Sequence, residues 1–332
     1  MKINFAIIGT NWITEEFIAS AKTFEEFNLK VVYSRNKNTA AAFAKKHNAE
    51  IYITDFDELC SFPKIDAVYI ASPNSFHARQ AIALMEKGKC ILCEKPIASN
   101  QKELLKMIEV SKKNGVLLME AMKSILMPNY SEIKKNICKL GPIRSVYANY
   151  SKYSSRYDAH KQGKNVNTFK SEFSNGALMD LGIYCLYPIV YLFGEPAGIK
   201  SIATKIPDGV DGAGTTILDY GNFTATVNYS KISNSYLPFE IQGENATMII
   251  DKVENPRKFD IIFSSGTRQK EEFHLVQRED SMYYEIKEFL YCLKEGKTES
   301  ETNSLAMSQK IMAIMDLSLI HISNISCIEQ RQ

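Results

Sequence analysis

Short apolar runs alternate with helical patterns over the first third of the chain. Residues 3–8 form the first run, Gly9 begins a turn, and residues 14–24 carry apolar side chains at helical spacing. The same alternation predicts further strands at 31–33, 67–71, 90–93 and 116–120, and further helices at 39–47, 76–87 and 102–114. Strands separated by helices of this length form a parallel sheet with helices on both faces. Residues 1–121 are therefore predicted to form a doubly wound α/β domain.

The pattern changes after Pro142. Val146, Ala148 and Tyr150 occupy alternate positions, and strand-like segments run from about residue 198 to 276. The clearest of them are 215–220, 223–229, 239–242 and 247–250. Consecutive strands without intervening helices indicate an antiparallel sheet. Two helical segments, 282–293 and 304–323, close the chain, so residues 122–332 are predicted to form a second, α+β domain.

The composition is that of an ordinary globular protein. The 332 residues are 45% hydrophobic and 23% charged, and a formal net charge of +2 favours neither nucleic acid nor an anionic membrane. Seven cysteines without short regular spacing predict free thiols in a reducing compartment, with the cytoplasm as the default. No segment reaches the roughly 18 uninterrupted apolar residues of a membrane span, and the first apolar run is too short for a signal peptide. We expect a soluble protein.

The turn after the first strand partly matches a dinucleotide-binding fingerprint. That fingerprint requires G-x-G-x-x-G or -A, and the segment from Gly9 to Thr14 keeps only its first glycine. Asn11 stands at the middle position, where we expect it to substitute because asparagine tolerates the left-handed region. A plain strand-to-helix turn is the alternative. The residues of this turn that would bind a cofactor are Gly9, Thr10, Asn11, Trp12 and Ile13.

The end of the second strand indicates which dinucleotide is bound. A carboxylate at this place binds the ribose 2′-hydroxyl, whereas an arginine accommodates a 2′-phosphate. The chain has Ser34 and Arg35 there, a pair that suits a phosphate monoester. The sequence favours NADP, with NAD as the alternative. An arginine exposed to solvent without a ligand would look the same.

Two further strand ends carry candidate site residues. Ser72, Pro73 and Asn74 end one strand, and His77 follows at the start of the next helix, where unpaired amides suit the cofactor. We expect His77 to line the site without acting in the chemistry, unless it serves only in capping or packing. Glu94 and Lys95 end the next strand; because ligands bind at the carboxyl ends of strands, Lys95 is a candidate catalytic lysine and Glu94 a cofactor-site residue. A loop salt bridge is the alternative.

The helical segment 175–187 is apolar except for one carboxylate, Asp180. Tyr184 lies four positions later on the same face, with Tyr187 beside it. A buried carboxylate needs a cation or hydrogen-bond donors, and Lys95 is the expected partner. Hydride transfer to a carbonyl needs a proton donor, which Tyr184 could provide if the Lys95 ammonium favours its tyrosinate form. If the segment serves packing alone, Tyr184 is a core aromatic.

These motifs together resemble the Gfo/Idh/MocA family of sugar-type oxidoreductases, and the resemblance runs nearly end to end. Its carriers are the segments 6–10, 72–77, 94–96 and 176–184. The resemblance implies a Rossmann domain followed by a large open sheet, homodimers or homotetramers built on that sheet, and a lysine that works with the nicotinamide. Many members carry a histidine where this chain has Tyr184. The tyrosine is similar to that of the glucose-fructose oxidoreductase and dimeric dihydrodiol dehydrogenase branch, in which a tyrosine is the acid/base and the cofactor is NADP.

The predicted function is an NADP(H)-dependent dehydrogenase or reductase acting on a sugar, polyol or related carbonyl. A non-catalytic dinucleotide sensor is the alternative, which Asn11 favours and the retention of Lys95, Asp180 and Tyr184 opposes. Residues 151–173 are expected to help choose the substrate. Polar side chains of this loop that could line a pocket are Lys152, Tyr153, Arg156, Tyr157, His160 and Lys161. A solvated loop would have a similar composition.

Overall fold

The computed structural model of the chain describes residues 2–207, 209–264 and 269–329. The chain divides into two compact units. The first contains the residues up to Lys123 together with Arg278–Gln309, and the second contains Ser124–Gln277 together with the residues from Lys310 onward.

The first unit is built on a parallel sheet of six strands. In chain order these are β1 Ile3–Ile8, β2 Phe27–Tyr33, β3 Ile51–Ile53, β4 Ala67–Ile70, β5 Cys90–Glu94 and β6 Leu118–Ala121. Its first five helices are α1 Trp12–Ala21, α2 Lys37–His47, α3 Phe56–Ser61, α4 His77–Met85 and α5 Gln101–Asn114. The strand order is β3-β2-β1-β4-β5-β6, which is that of a doubly wound dinucleotide-binding sheet. The predicted fold of this half is confirmed.

Aromatic side chains fill the space between the sheet and the helices of this unit. The rings of Phe17 on α1 and Tyr69 on β4 are stacked with centroids 3.8 Å apart. Phe5 on β1 lies beside both Phe17 and Phe289 of the later helix Met282–Lys294, with ring centroids 6.2 and 6.1 Å apart. All four side chains are fully buried. The strands are apolar on both faces because helices cover both sides of the sheet.

The second unit is built on a sheet of eight strands. They are β7 Ile143–Ser151, β8 Gly198–Lys205, β9 Asp211–Asp219, β10 Thr224–Ser230, β11 Phe239–Gly243, β12 Ala246–Ile250, β13 Phe259–Phe263 and β14 Lys270–Phe273. The remaining helices of the chain are α6 Pro128–Asn136, α7 Tyr157–Lys161, α8 Ile183–Phe193, α9 Met282–Lys294 and α10 Leu305–Glu329. The strand order is β14-β13-β12-β11-β7-β10-β9-β8, and only the β7–β10 pair is parallel among the described pairs. The prediction of a large, mostly antiparallel sheet is confirmed.

Helix α8 packs on one face of this sheet. Its entry segment approaches β10 closely, because a Cβ on Gly182 would lie 3.1 Å from the ring of Tyr229. Leu186 and Tyr187 of α8 are fully buried, as are Val227 and Tyr229 of β10. Alternation along β10 therefore directs one set of side chains to the helix, as period-2 patterning requires.

Some elements differ from the sequence prediction. Strand β3 and helix α3 were missed, because Ile51–Ile53 is too short to show a pattern of its own. The stretches Ser171–Phe193 and Leu305–Ser323 have the length and hydropathy of a membrane span, and 72% and 44% of them are buried in the protein. Core helices of soluble proteins pass the same test, so these stretches are weak evidence for a membrane. The six described cysteines are free thiols, as predicted.

Candidate functional site

The turn after β1 requires a glycine at its first position. Gly9 has a φ of 106°, in the left-handed region. A Cβ built on it would lie 2.5 Å from the carbonyl oxygen of Ala71, directly after β4. Both the backbone angle and this close approach exclude a side chain. The order of strands reverses between β1 and β4, and doubly wound sheets bind their ligands at that point.

Asn11 caps helix α1 with its side chain. Its Oδ1 accepts hydrogen bonds from the backbone N and the Oγ1 of Thr14, each at 3.2 Å, and its Nδ2 donates to the Ala71 carbonyl at 3.0 Å. Its φ of −98° and ψ of 178° are extended, so the left-handed backbone that we expected at Asn11 is wrong. The left-handed residue of the turn is Gly9. The amide group of Asn11 is held against the protein by these bonds.

The turn as a whole fits a dinucleotide phosphate group. Thr10 and Ile13 are half-buried, and Trp12, the first residue of α1, is 65% exposed. The first N–H groups of an α-helix have no partner within the helix and attract anions. Gly9 followed by such a helix start provides part of the arrangement that a pyrophosphate needs, with Asn11 in place of the second glycine.

Two arginines lie against one aromatic ring near the end of β2. Arg35 follows Ser34 directly after β2, and its guanidinium carbon is 5.5 Å from the centre of the Phe76 ring. The guanidinium carbon of Arg79, on α4, is 5.6 Å from the same ring centre. Both arginines are exposed. The sequence indicated Ser34 and Arg35 but not Arg79, because only the fold brings α4 next to the end of β2.

His77 connects two loops of the first unit. Its side chain is fully buried, with Nδ1 2.9 Å from the carbonyl oxygen of Pro96 and Nε2 2.8 Å from that of Ser72. Burial lowers the pKa of His77, while the two carbonyls act in the opposite direction. Pro73 and Asn74 lead from the same loop into a short 3-10 turn before α4. The imidazole therefore holds the loop after β4 to the loop after β5.

Glu94, the last residue of β5, is held from two sides. The hydroxyl of Tyr69 donates to its Oε1 at 2.5 Å, and the backbone N–H of Lys95 donates to its Oε2 at 3.3 Å. Burial raises the pKa of Glu94, against the lowering effects of the Tyr69 hydrogen bond and the Lys95 charge. The Lys95–Pro96 peptide bond is cis. Lys95 follows at the carboxyl end of β5, where the sequence placed the candidate lysine.

Two buried glutamates in the same unit escaped sequence analysis. Glu120 on β6 accepts hydrogen bonds from the backbone N of Ile97 at 3.0 Å and from Ser308 Oγ at 2.7 Å. Glu285 on α9 is almost fully buried, and burial together with the charge of Glu94 raises its pKa well above the ordinary range. Neither residue belongs to a recognisable motif, so the sequence offered no reason to single them out.

In the second unit, Asp180 lies in a π-helical segment, Leu178–Gly182, immediately before α8. Such segments occur frequently at functional sites. The Oδ2 of Asp180 forms an ion pair with Nζ of Lys231 at 2.7 Å. The prediction that Asp180 needs a cationic partner is therefore confirmed by Lys231, a residue that sequence analysis missed. Pairing with Lys95 stays a prediction.

A second carboxylate caps this π-helical segment. Asp211, the first residue of β9, is buried, and its Oδ2 accepts a hydrogen bond from the backbone N of Leu178 at 2.7 Å. Its Oδ1 lies 2.0 Å from the place of a Cβ on Gly176, where φ is 145°, so only glycine fits there. Burial raises the pKa of Asp211 to about 6, against the lowering effects of its backbone hydrogen bonds and of Lys231.

The two candidate tyrosines of α8 have different surroundings. Tyr184 is half-buried, and its ring meets the ring of Tyr150 edge to face, with centroids 5.5 Å apart. Tyr187 is fully buried and belongs to the core. Asp180 and Tyr184 were expected to be related by α-helical spacing, whereas the first part of the segment between them is a wider π-helix.

The predicted substrate loop, residues 151–173, has a small core of its own. Phe169 is fully buried with Ile206 and Val210, and Tyr157 packs against them. The loop borders a pocket of about 800 Å³. Three of the donors that sequence analysis named line this pocket: Tyr157, His160 and Lys161. The loop is thus a folded element with one polar side.

Two family models match the chain. One, described as an oxidoreductase family with an NAD-binding Rossmann fold, matches residues 3–122. The other, described as the GFO/IDH/MocA C-terminal domain, matches residues 137–249.

Relatives and solved structures are similar over nearly the whole chain. The scyllo-inositol 2-dehydrogenase (NADP(+)) IolU of Bacillus subtilis (strain 168) is 48% identical over 314 residues, covering 95% of each chain. The trans-1,2-dihydrobenzene-1,2-diol dehydrogenase of Sus scrofa is 26% identical over 332 residues, covering 95% of this chain and 96% of the relative. The structure of levoglucosan dehydrogenase in complex with NADH and levoglucosan covers 98% of each chain with a TM-score of 0.86 at 22% identity, a likeness of fold.

Proposed function

The chain belongs to the Gfo/Idh/MocA family of oxidoreductases, and from this premise we propose that it transfers a hydride between NADP(H) and a sugar, polyol or related carbonyl compound. The family resemblance seen in the sequence is confirmed. The enzyme class is confirmed as well: the chain is an NAD(P)-dependent dehydrogenase or reductase acting on CH–OH or C=O groups. The nicotinamide of the bound cofactor supplies or accepts the hydride.

The observation that carries this proposal is the turn at Gly9. The dinucleotide fingerprint requires its first glycine for the tight turn from strand to helix, and Gly9 meets this requirement, since a Cβ on it would lie 2.5 Å from the Ala71 carbonyl. We assign the remaining cofactor contacts to residues at the carboxyl ends of the strands of the same sheet. These proposed contacts are Thr10, Asn11, Trp12, Ile13, Ser34, Arg35, Ser72, Pro73, Asn74, Glu94 and Lys95. His77 supports them through the two loops that it joins.

NADP is the proposed cofactor, with NAD as the alternative. Arg35 and Arg79 lie against one ring, close enough for both charges to influence a single phosphate monoester. The Bacillus subtilis relative is named for NADP(+), and its similarity supports the same preference here. The levoglucosan dehydrogenase structure contains NADH, so the fold itself accepts either dinucleotide.

We assign proton transfer to Tyr184 and stabilisation of the reacting oxygen to Lys95. When an alcohol is oxidised, its hydroxyl proton must leave as the hydride does, and a positioned tyrosine accelerates that step. An ammonium group stabilises the negative charge that develops on the oxygen. Asp180 is the proposed third member, whose carboxylate orients its neighbours. The assignment rests on the family resemblance and on the exposed part of Tyr184.

A cyclic polyol is the first substrate class to test. The support is the 48% identical relative, which carries the name of a scyllo-inositol dehydrogenase. Polar side chains of the 151–173 loop line a pocket of about 800 Å³, but the residues that line it do not include Asp180 or Tyr184. Hydroxyl-rich ligands need such donors and acceptors because each buried hydroxyl must be satisfied.

The sequence divided the chain into residues 1–121 and 122–332, whereas Arg278–Gln309 belongs to the first compact unit. We propose residues 1–121, with this returning segment, as the NAD(P)-binding domain and the rest of 122–332 as the substrate-binding and oligomerisation domain. The second sheet has exposed apolar side chains, Ile202 and Ile217, on β8 and β9. These support a homodimer or homotetramer formed through that sheet, as the family resemblance implies. Free thiols at the six described cysteines support a cytoplasmic location.

A paired titration with NADPH and NADH tests the cofactor assignment. Trp12 is the only tryptophan and is exposed at the turn, so its fluorescence reports binding there. We expect NADPH to bind at least about tenfold more tightly than NADH, because one charge-assisted hydrogen bond contributes roughly 1.5–3 kcal/mol. Equal affinities would contradict the NADP preference, and absence of binding would contradict the proposed function.

Turnover of cyclic polyols and sugars with NADP⁺ tests the chemistry. We expect Tyr184→Phe to lower kcat roughly 100-fold or more, as loss of a general acid/base does. Tyr191→Phe is the matched control, because Tyr191 lies on the same helix and faces Lys134 with its ring. Unchanged turnover in Tyr184→Phe would reject the tyrosine assignment.

A sensor without catalysis remains the second candidate from the sequence. Its support was the departure at Asn11, which could have obstructed the pyrophosphate. The Asn11 side chain is bound to Ala71 and Thr14, so this argument is weaker than it was from the sequence. Tight cofactor binding without turnover on any polyol, sugar or carbonyl would favour the sensor.

A further inference from the structure

Lys231 is a buried lysine that neither the sequence motifs nor the proposed chemistry includes. It follows β10 directly, and only 3% of its surface is exposed. Lysines are almost never this deeply buried without a partner. Its backbone N–H donates to the Gly212 carbonyl, and its carbonyl accepts from the backbone N of Ser154, each at 2.8 Å. The main chain is thus anchored on both sides, which leaves the ammonium in a defined place.

The Lys231 ammonium contacts two segments that are separate in sequence. It forms the 2.7 Å ion pair with Asp180 Oδ2 and donates to the Thr168 carbonyl at 3.5 Å. It also lies 5.2 Å from the centre of the Phe169 ring, a cation–π distance. Thr168 and Phe169 belong to the 151–173 loop, whereas Asp180 lies before α8. One charge therefore joins the loop to the carboxylate.

Burial of its cation distinguishes this ion pair from others in the same unit, although the Asp180 side chain is 40% exposed. The Lys231 side chain is 4% exposed, whereas Lys139 and Lys170 are 37% and 29% exposed in their pairs with Glu271 and Glu172. Water screens exposed pairs so that they contribute little, while a buried ammonium that loses its partner is strongly unfavourable. The Lys231 ammonium consequently enforces the position of whatever neutralises it.

We propose that Lys231 is a positioning residue that couples the loop around Thr168 and Phe169 to the carboxylate of Asp180. Phe169 belongs to the small core of the loop, and Asp180 lies in the π-helical segment. Because the ammonium contacts both, a displacement of that core also displaces the π-helical segment. This inference rests on the proposed function in one respect: Asp180 is taken as a member of the reacting site. The loop that is expected to hold the substrate and the Asp180 carboxylate then keep a fixed position relative to each other.

Hydrogen exchange of the loop tests the coupling without any substrate. The reporters are the backbone amides of Phe169 and Lys170, which donate to Val166 and Asn167. We expect Lys231→Met to increase their exchange at least about tenfold, because local opening then loses its anchor. Lys200→Met removes an exposed lysine from β8 of the same unit and should leave these amides unchanged. Wild-type exchange in a folded Lys231→Met protein would overturn the proposal.

If Lys231→Met does not fold, Phe169→Leu tests the contact between the loop and the Lys231 ammonium instead. It keeps an apolar, though smaller, side chain in the loop core and removes the aromatic face beneath the ammonium. We expect a roughly threefold rise in exchange of the Lys170 amide, in line with a cation–π contact of about 0.5–1 kcal/mol. No rise would overturn the coupling through this ring.

Kinetics separate a positioning role from loop support alone. Loop support alone would raise KM and leave kcat unchanged, whereas displacement of Asp180 also lowers kcat. With NADP⁺ and a cyclic polyol, we expect Lys231→Met to lower kcat about tenfold or more while its affinity for NADPH stays within about twofold of wild type. An unchanged kcat would overturn the coupling to Asp180. If the wild-type protein turns over no polyol or sugar, the proposed function fails, and the exchange experiment still decides whether Lys231 anchors the loop.

Discussion

The turn at Gly9 and the charged cluster around Asp180 use their polar groups in opposite ways. In the turn, Asn11 and Trp12 are exposed, and the critical feature is the close approach of the Gly9 backbone to the Ala71 carbonyl, which no side chain could occupy. In the cluster, a lysine with 3% exposure and the buried Asp211 hold side chains in place. The turn exposes its polar side chains, whereas the cluster buries its lysine and leaves only the Asp180 side chain partly exposed, at 40%.

The two regions also differ in how far apart their parts lie in sequence. Asn11 caps α1 through Thr14, three positions away. Asp180 meets Lys231 from another part of the unit, and Asp211 reaches Leu178 across 33 positions. A local motif predicts the first kind of site, whereas the second kind needs the strands to be paired before its charges meet.

The largest expected effect is at the turn. Gly9→Ala combines a left-handed backbone with a Cβ 2.5 Å from the Ala71 carbonyl, so we expect a loss of about 4 kcal/mol in the free energy of unfolding and no detectable NADPH binding. Gly88→Ala is the matched control: its φ is 74°, but nothing lies within 4 Å of its Cβ, so only the backbone strain of about 1 kcal/mol should appear. Denaturant unfolding measures both. Equal losses would show that the close approach to Ala71 does not matter.

The next effect concerns the pH dependence of the cluster. Burial raises the pKa of Asp211 from the usual 3.8 to about 6, so the folded protein binds this proton more tightly than the unfolded chain. The contribution is stabilising, is complete below about pH 4, and is lost as pH rises through 6. A shift of this size corresponds to about 3 kcal/mol.

Asp211→Asn removes this titration. We expect the stability of the variant, measured by denaturant unfolding between pH 4 and 7, to lack the decline with rising pH that Asp211 contributes to wild type. Subtracting the two curves isolates Asp211 from the other buried carboxyls. Parallel curves would contradict the raised pKa.

A smaller effect separates the two partners of the ion pair. Asp180→Asn leaves the buried Lys231 ammonium without its counter-charge, whereas Lys231→Met leaves a carboxylate that is 40% exposed and can be hydrated. We expect Asp180→Asn to reduce stability by about 2 kcal/mol and Lys231→Met by about half as much. The double variant should be no less stable than Asp180→Asn alone, because the unpaired ammonium is gone. Additive losses would show that the pair is not coupled.

The smallest effect is expected at the exposed end of β2. Arg35→Ala should weaken NADPH binding about tenfold, or about 1.4 kcal/mol, with little change for NADH. Arg79 partly compensates, because its guanidinium lies against the same Phe76 ring. Lys45→Ala, an exposed change in the last turn of α2, serves as the control in the same fluorescence titration. Equal weakening of both cofactors would contradict the phosphate assignment.

Local patterns predicted most elements of the first unit correctly. Its strands are apolar runs bounded by turn residues, and helices such as α5 begin at an asparagine cap and end at a left-handed glycine, Gly115. The short β3 was missed because three residues show no period. Asn11 was assigned the wrong backbone angle, because a fingerprint gives residue types without saying which residue of the turn carries the positive φ.

Residue order alone was sufficient for the doubly wound sheet, the family resemblance and the placement of candidate residues at the strand ends, because local patterns indicate each of them. The return of Arg278–Gln309 to the first unit depends on distant contacts and was not predicted. Lys231, Arg79 and Glu285 could not be found in this way. Their significance comes from burial and from partners on other elements, such as the 2.7 Å contact of Lys231 with Asp180. A lysine in a sequence looks the same whether it is solvated or buried. Only the packing of strands and helices removes the water from around it, and that loss of water makes its partner matter.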